Sequence, residues 1–72
     1  MAFRIEATTF NPENDGPSTL AGTATAATRN VTRMLCQEFW RNGDWVEVFD
    51  EATNELLAGP IDPDRPYPSY TV

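Results

Sequence analysis

Histidine and lysine are absent from the 72-residue chain, and cysteine occurs once. Without an imidazole, the common Cys/His zinc sites have no members, and Cys36, Ser18 and Ser69 lack the base that would activate them as nucleophiles. A lone Cys36 also excludes an intramolecular disulfide and reads as a small buried or half-buried apolar residue. No run of about 18 apolar residues exists to form a spanning helix, and Met1-Ala2-Phe3-Arg4 shows no basic segment leading into an apolar one. The expectation is a cytoplasmic, non-enzymatic protein with no cofactor and no metal. At this length one small domain fits, and it must hold itself together by packing.

What is present in excess is negative charge: 11 acidic side chains against 5 basic ones, all Arg, for a net charge of -6. Residues 1–43 balance Glu6, Glu13, Asp15 and Glu38 against Arg4, Arg29, Arg33 and Arg41. From Asp44 onward only Arg65 opposes the acids, so the back half carries the entire net charge. Such a surface repels a phosphate backbone, which argues against direct nucleic-acid binding.

Along the chain, Phe3 to Phe10 alternates in the manner of a strand, with Phe3, Ile5 and Ala7 on one side and Arg4, Glu6 and Thr8 on the other. Asn11 to Pro17 concentrates turn formers. Leu20, Ala24, Ala27, Val31, Met34 and Leu35 then fall on one stripe of a 3.6-residue period, predicting a helix that begins between Ser18 and Thr25 and stops at Arg41-Asn42-Gly43. Trp45 to Phe49 alternates again, and Glu55 to Ala58 supplies a partner strand. The turn between them runs from Glu51 to Asn54, with Asp50 accepting from turn amides and Asn54 in the left-handed conformation. Gly59-Pro60 ends the hairpin, and the prolines through Pro68 predict an extended tail. The reading is an α+β fold in β-α-β-β order: residues 1–59 form one helix on a three-stranded sheet, and residues 60–72 form the tail.

Several short patterns carry little. Asn11-Pro-Glu13-Asn-Asp15-Gly16 imitates the first half of a calcium loop, but Gly22 stands where the bidentate Glu belongs, so a turn is the better reading. Asn30-Val-Thr32 matches a glycosylation acceptor inside a predicted helix and is accidental.

Two surface constellations are better motivated. On the predicted helix, Arg29, Arg33, Cys36 and Trp40 share the face opposite the apolar stripe, and Trp beside Arg is the composition of interface hot spots. The competing reading ends the helix near Phe39 and folds Trp40 under the hairpin. In the sheet, Val46 and Val48 point one way and Trp45 and Phe49 the other, so a single helix leaves an aromatic face uncovered. The tail, with Tyr67 and Tyr70, is one candidate cover. An external protein or a second copy of the chain is the favoured one. Asp44, Glu47, Asp50, Glu51 and Glu55 crowd the same hairpin.

In size, acidity, lack of catalytic residues and β-α-β-β layout, the chain resembles the small phage-encoded inhibitors of host defence, the anti-CRISPR type. The resemblance spans the whole length and rests on no motif, so it assigns no residue. It implies an inhibitor that acts as a nucleic-acid mimic, blocking a basic, nucleic-acid-binding surface of a partner protein. The alternative is a structural or assembly accessory subunit that docks through the aromatic sheet face and the tail.

Overall fold

The computed structural model describes residues 2–9 and 20–69. In chain order these form β1 (Phe3–Thr8), β2 (Leu20–Ala26), α1 (Arg29–Arg41), β3 (Trp45–Asp50) and β4 (Leu56–Ile61). Every pairing is antiparallel, and the strands lie in the order β2-β1-β3-β4. Over the described residues the fold is a small α+β domain with one helix, as expected, but its sheet has four strands and its order is ββαββ. The additional strand is β2, built from residues expected to open the helix.

The reason is local as well as tertiary. From Gly22 to Ala26 the chain alternates, Thr23 and Thr25 exposed, Gly22 and Ala24 half-buried, Ala26 buried. That is the period of a strand lying on a core, and β-branched Thr favours it. The apparent helical stripe linked residues on two different elements. Val31 and Met34, assigned to its buried side, are exposed, and the inward face of α1 is Thr32, Leu35, Cys36 and Phe39. Cys36 therefore leaves the outer face on which it was grouped with Arg29, Arg33 and Trp40, and lies at 0% exposure in the core.

Helix α1 is capped by Thr28, whose backbone is extended and whose side-chain oxygen accepts from the Val31 amide at 3.2 Å. The Thr32 hydroxyl returns a bond to the Thr28 carbonyl at 2.8 Å, which is how a polar side chain is tolerated at 0% exposure. Arg41 is the last helical residue, Asn42 is the C-cap, and Gly43 follows at φ 89°, the stop expected at this point.

Helix α1 covers one face of the sheet, where Phe3, Ile5, Ala7, Ala26, Val46, Val48 and Ile61 are all buried. Phe39 lies directly over Gly22, where a Cβ would meet its ring at 3.0 Å. A larger residue there would lift the helix from β2.

The β3–β4 turn takes the expected form. Asp50 Oδ1 accepts from the amides of Ala52 and Thr53 at 2.9 and 3.3 Å, and Asn54 has φ 61°. The strand, however, continues through Gly59 and the cis Gly59-Pro60 peptide to Ile61. Two register irregularities on β4 make this feasible, since each adds one residue opposite β3 and excuses that residue from regular pairing. They also let Leu57 reach the core beside Ala58 while Leu56, opposite Phe49, stays 45% exposed.

Beyond β4, residues 62–69 turn back toward the helix. The Trp40 indole N–H donates to the carbonyls of Asp62 and Arg65 at 3.2 and 3.0 Å, and its ring meets Tyr67 edge-on with centroids 5.5 Å apart. Trp40 thus belongs to the internal packing against this segment, neither displayed beside Arg29 and Arg33 nor tucked under the hairpin. Tyr70 and the calcium-like segment at residues 11–16 lie outside the described residues.

Candidate protein-docking face

The face of the sheet that α1 leaves open is set by the pairing of β1 with β3. Arg4 lies opposite Phe49, Glu6 opposite Glu47, and Thr8 opposite Trp45. Thr23 and Thr25 extend this face across β2, and Leu56 extends it across β4. Trp45 and Phe49 are half-buried and lie on the side opposite Val46 and Val48, as the alternation of β3 implied. Their cover is not Tyr67, which is engaged on the helix side with Trp40.

Arg4 organises one end of this face. Its guanidinium stacks over the Phe49 ring at 4.7 Å, its Nε donates to Glu6 Oε2 at 2.8 Å, and it reaches Glu51 Oε2 at 3.6 Å. A further guanidinium N–H donates to Asn54 Oδ1, tying the strand to the turn. The site thereby contains groups that the reading of the hairpin alone omitted. Arg4 and Glu6 were legible as one side of β1, but their position beside Phe49 and Glu47 depends on a long-range pairing that no local pattern announces.

Glu6 and Glu47 face each other at the centre. Like charges directly opposite on neighbouring strands oppose the pairing. Partial burial raises the Glu47 pKa, and the Glu6 charge raises it further. The sign follows from proton binding: the folded state holds this proton more tightly than the unfolded chain does. The contribution is most favourable below the ordinary carboxylate range and is lost as pH rises through the raised value. Glu47→Gln is therefore expected to raise stability at neutral pH by about 0.2–1 kcal/mol, a few degrees in Tm, and to make no difference in acid where both forms are neutral. Thermal melts at the two pH values check this; an equal gain at both would assign the effect to packing.

The remaining hairpin acids are dispersed in role. The Asp50 carboxylate serves the turn, Glu51 pairs with Arg4, Glu55 is exposed, and Asp44 is half-buried ahead of β3. Arg29 and Arg33 are exposed on α1, remote from the open face. Cys36 has its pKa pushed up to about 11 by burial, an effect partly offset by a hydrogen bond with Tyr67. It is a core thiol of low reactivity at neutral pH.

Among the described residues, no three metal-ligating side chains converge, and no helix is long and apolar enough to cross a membrane. A shallow groove beside β4, bordered by Pro60, Asp62, Arg65 and Pro66, has its two charged groups bridged to each other at 3.5 Å. The class is therefore that of a small α+β domain, a four-stranded antiparallel sheet with one face under a helix and, among the described residues, the other an aromatic and acidic face on which Thr8 is the one buried residue. No family model, no curated protein and no solved structure matches the chain.

Proposed function

We propose that the protein is a non-enzymatic binding protein that docks its open sheet face on a basic, nucleic-acid-binding surface of a partner protein and blocks it. The observation that carries the reading is the facing pair Glu6 and Glu47, set on β1 and β3 between the rings of Trp45 and Phe49. In the free protein Arg4 pairs with Glu6, while Glu47, opposite it and partly buried, has no ion pair among the described residues. An Arg or Lys entering from a partner would pair with Glu47 while the flanking rings supply apolar contact, so the cost that Glu47 carries in the isolated fold becomes a gain in the complex. The net charge of -6 adds long-range steering toward a cationic surface. Size, acidity and lack of catalytic pairs, which resemble those of small phage-encoded inhibitors, support the same reading.

Charge reversal tests it. Because Asp50 holds the turn amides and both Glu6 and Glu51 pair with Arg4, which is itself bonded to Asn54 of the turn, the informative substitution is Glu47→Lys, which leaves those contacts in place. With wild-type protein as bait, the expected captive is a nucleic-acid-binding protein released by salt and by competing nucleic acid. That variant is expected to weaken the complex at least tenfold, about 1.4 kcal/mol or more. Equal retention by both baits, indifferent to salt, would overturn the mimicry and favour the assembly subunit, for which Trp45, Phe49 and Leu56 offer an apolar docking surface.

A further inference from the structure

The two edges of the sheet are unlike. The outer edge of β4 contains Pro60, which has no N–H to offer, together with two register irregularities, and both features blunt a strand against pairing. The outer edge of β2 has neither Pro nor any charged side chain, and its irregularity falls at Ala21, leaving Gly22 to Ala26 in regular register with β1. Strand β2 ends the sheet, so among the described residues its outward backbone groups have no strand to bond.

A second observation lies on the helix. Phe39 sits over Gly22 of β2, whereas Trp40 reaches Asp62 and Arg65 beyond β4, so the two residues mark opposite flanks of α1. At about 100° per residue, Leu35, Val31 and Met34 fall progressively toward the β2 flank. Val31 is 45% and Met34 65% exposed, and Leu20, at the start of β2, is 52% exposed. Two of the four large exposed hydrophobic residues among those described thus line the flank that also holds the bare strand edge, and a third, Leu20, opposite Thr8, lies at the start of that strand on the open face.

We infer that β2 is the interface for a second copy of this chain, pairing antiparallel with its counterpart about a two-fold axis at Ala24 to make a continuous eight-stranded sheet. Charge argues for a copy of the chain over another partner. Residues 20–28 contain no ionisable side chain, so two molecules of net charge -6 can meet there without opposing carboxylates, and Glu38 on the same flank is bridged to Arg41 at 3.5 Å. Self-complementarity argues likewise. This register sets Thr23 opposite Thr25 of the second copy on the open face, a favourable cross-strand pair, and Gly22 opposite Ala26 on the helix face, where small residues allow close approach. The axis is perpendicular to the sheet, so both helices lie on the same side. With α1 packed over β1 and touching β2 and β3, the two helices stand about three strand spacings apart, roughly 14 Å. That furrow is wider than direct helix contact at about 8–10 Å, and Val31 and Met34 project into it from both sides. The inference is independent of the proposed target. If that target exists, the dimer presents it with two Trp45/Phe49 faces on one surface.

Sedimentation velocity of the full chain from low micromolar to near-millimolar concentration is expected to show a monomer–dimer equilibrium. Met34→Lys, at an exposed helical position that cannot unfold the domain, and Thr23→Lys/Thr25→Lys, which set like charges opposite each other, are each expected to raise the dimer dissociation constant by roughly tenfold or more. Disulfide trapping fixes the register. Opposite residues have Cβ atoms about 4.5–5.5 Å apart and diagonal ones about 7–8 Å. A mixture of Thr23→Cys and Thr25→Cys chains should therefore cross-link under mild oxidation, while neither variant alone does. Cys36, at 0% exposure, does not compete. A monomer at all concentrations, a dimer insensitive to both Lys variants, or cross-linking without this register preference would each overturn the inference.

Discussion

Gly59→Ala is expected to cost the protein about 3 kcal/mol or more, enough to lower Tm by roughly 12–25 °C in a domain of this size. Gly59 has φ 101°, a region that L side chains rarely adopt, which by itself costs about 1–3 kcal/mol for any other residue. Space forbids the substitution independently: an added Cβ would lie 2.4 Å from the Val46 carbonyl oxygen and 3.0 Å from Glu47 Cα. Both are backbone atoms of β3, so nothing can swing aside; β4 must move off its neighbour. The displacement would reach Ile61 and Ala58, which pair with Val46 and Val48 in the core register. A total stability of about 5–15 kcal/mol, at the lower end for a small core, leaves little reserve against such a loss. Equilibrium denaturation of Gly59→Ala beside wild type measures it. A cost below about 1 kcal/mol would show that the β3–β4 approach at Gly59 is looser than described.

The hairpin was readable because its determinants are local. Asp50, Asn54 and the alternation of Trp45 to Phe49 act within ten residues of one another, so the turn and the opposite facing of Val46/Val48 and Trp45/Phe49 followed from pattern alone. The second strand was not readable, because Leu20 to Ala26 suits either state by propensity and its small residues gave a helical spacing by coincidence with Val31 and Met34. What decides in favour of the strand is β1, which needs a partner, and Phe39, which needs the bare backbone of Gly22 beneath it. Neither requirement is visible in the segment itself. For the same reason the aromatic half of the open face was anticipated and its electrostatic centre was not: Glu6 and Glu47 are 41 positions apart and become neighbours only when β1 enters between β2 and β3. Pro60 misled in the opposite sense, since proline ends a central strand but is tolerated on an edge strand at an irregularity.

Trp40→Ala is expected to destabilise the protein by about 3 kcal/mol and to release residues 62–69 from the helix while leaving the sheet intact. Trp40 holds that segment in two ways, through the indole N–H shared between the Asp62 and Arg65 carbonyls and through the edge-on contact with Tyr67. Because Trp40 is half-buried, the loss should fall at the low end of the range for truncating a large aromatic residue. Trp40→Phe separates the two contributions: it keeps a ring against Tyr67 and removes the donor, and since water can satisfy the freed carbonyls the cost should be only about 1 kcal/mol. The effect extends to Cys36, which is at 0% exposure and linked to Tyr67. With its pKa pushed up to about 11, the wild-type thiol should react slowly with a disulfide reagent at neutral pH, whereas freeing Tyr67 in Trp40→Ala admits water and speeds the reaction. Hydrogen exchange should show protection lost at the Asp64 and Arg65 amides, which bond back to Asp62, and retained in β1 and β3. Unchanged exchange and thiol reactivity in Trp40→Ala would mean that the segment is held by contacts other than the indole, and uniform loss across the sheet would mean that it is integral to the cooperative fold.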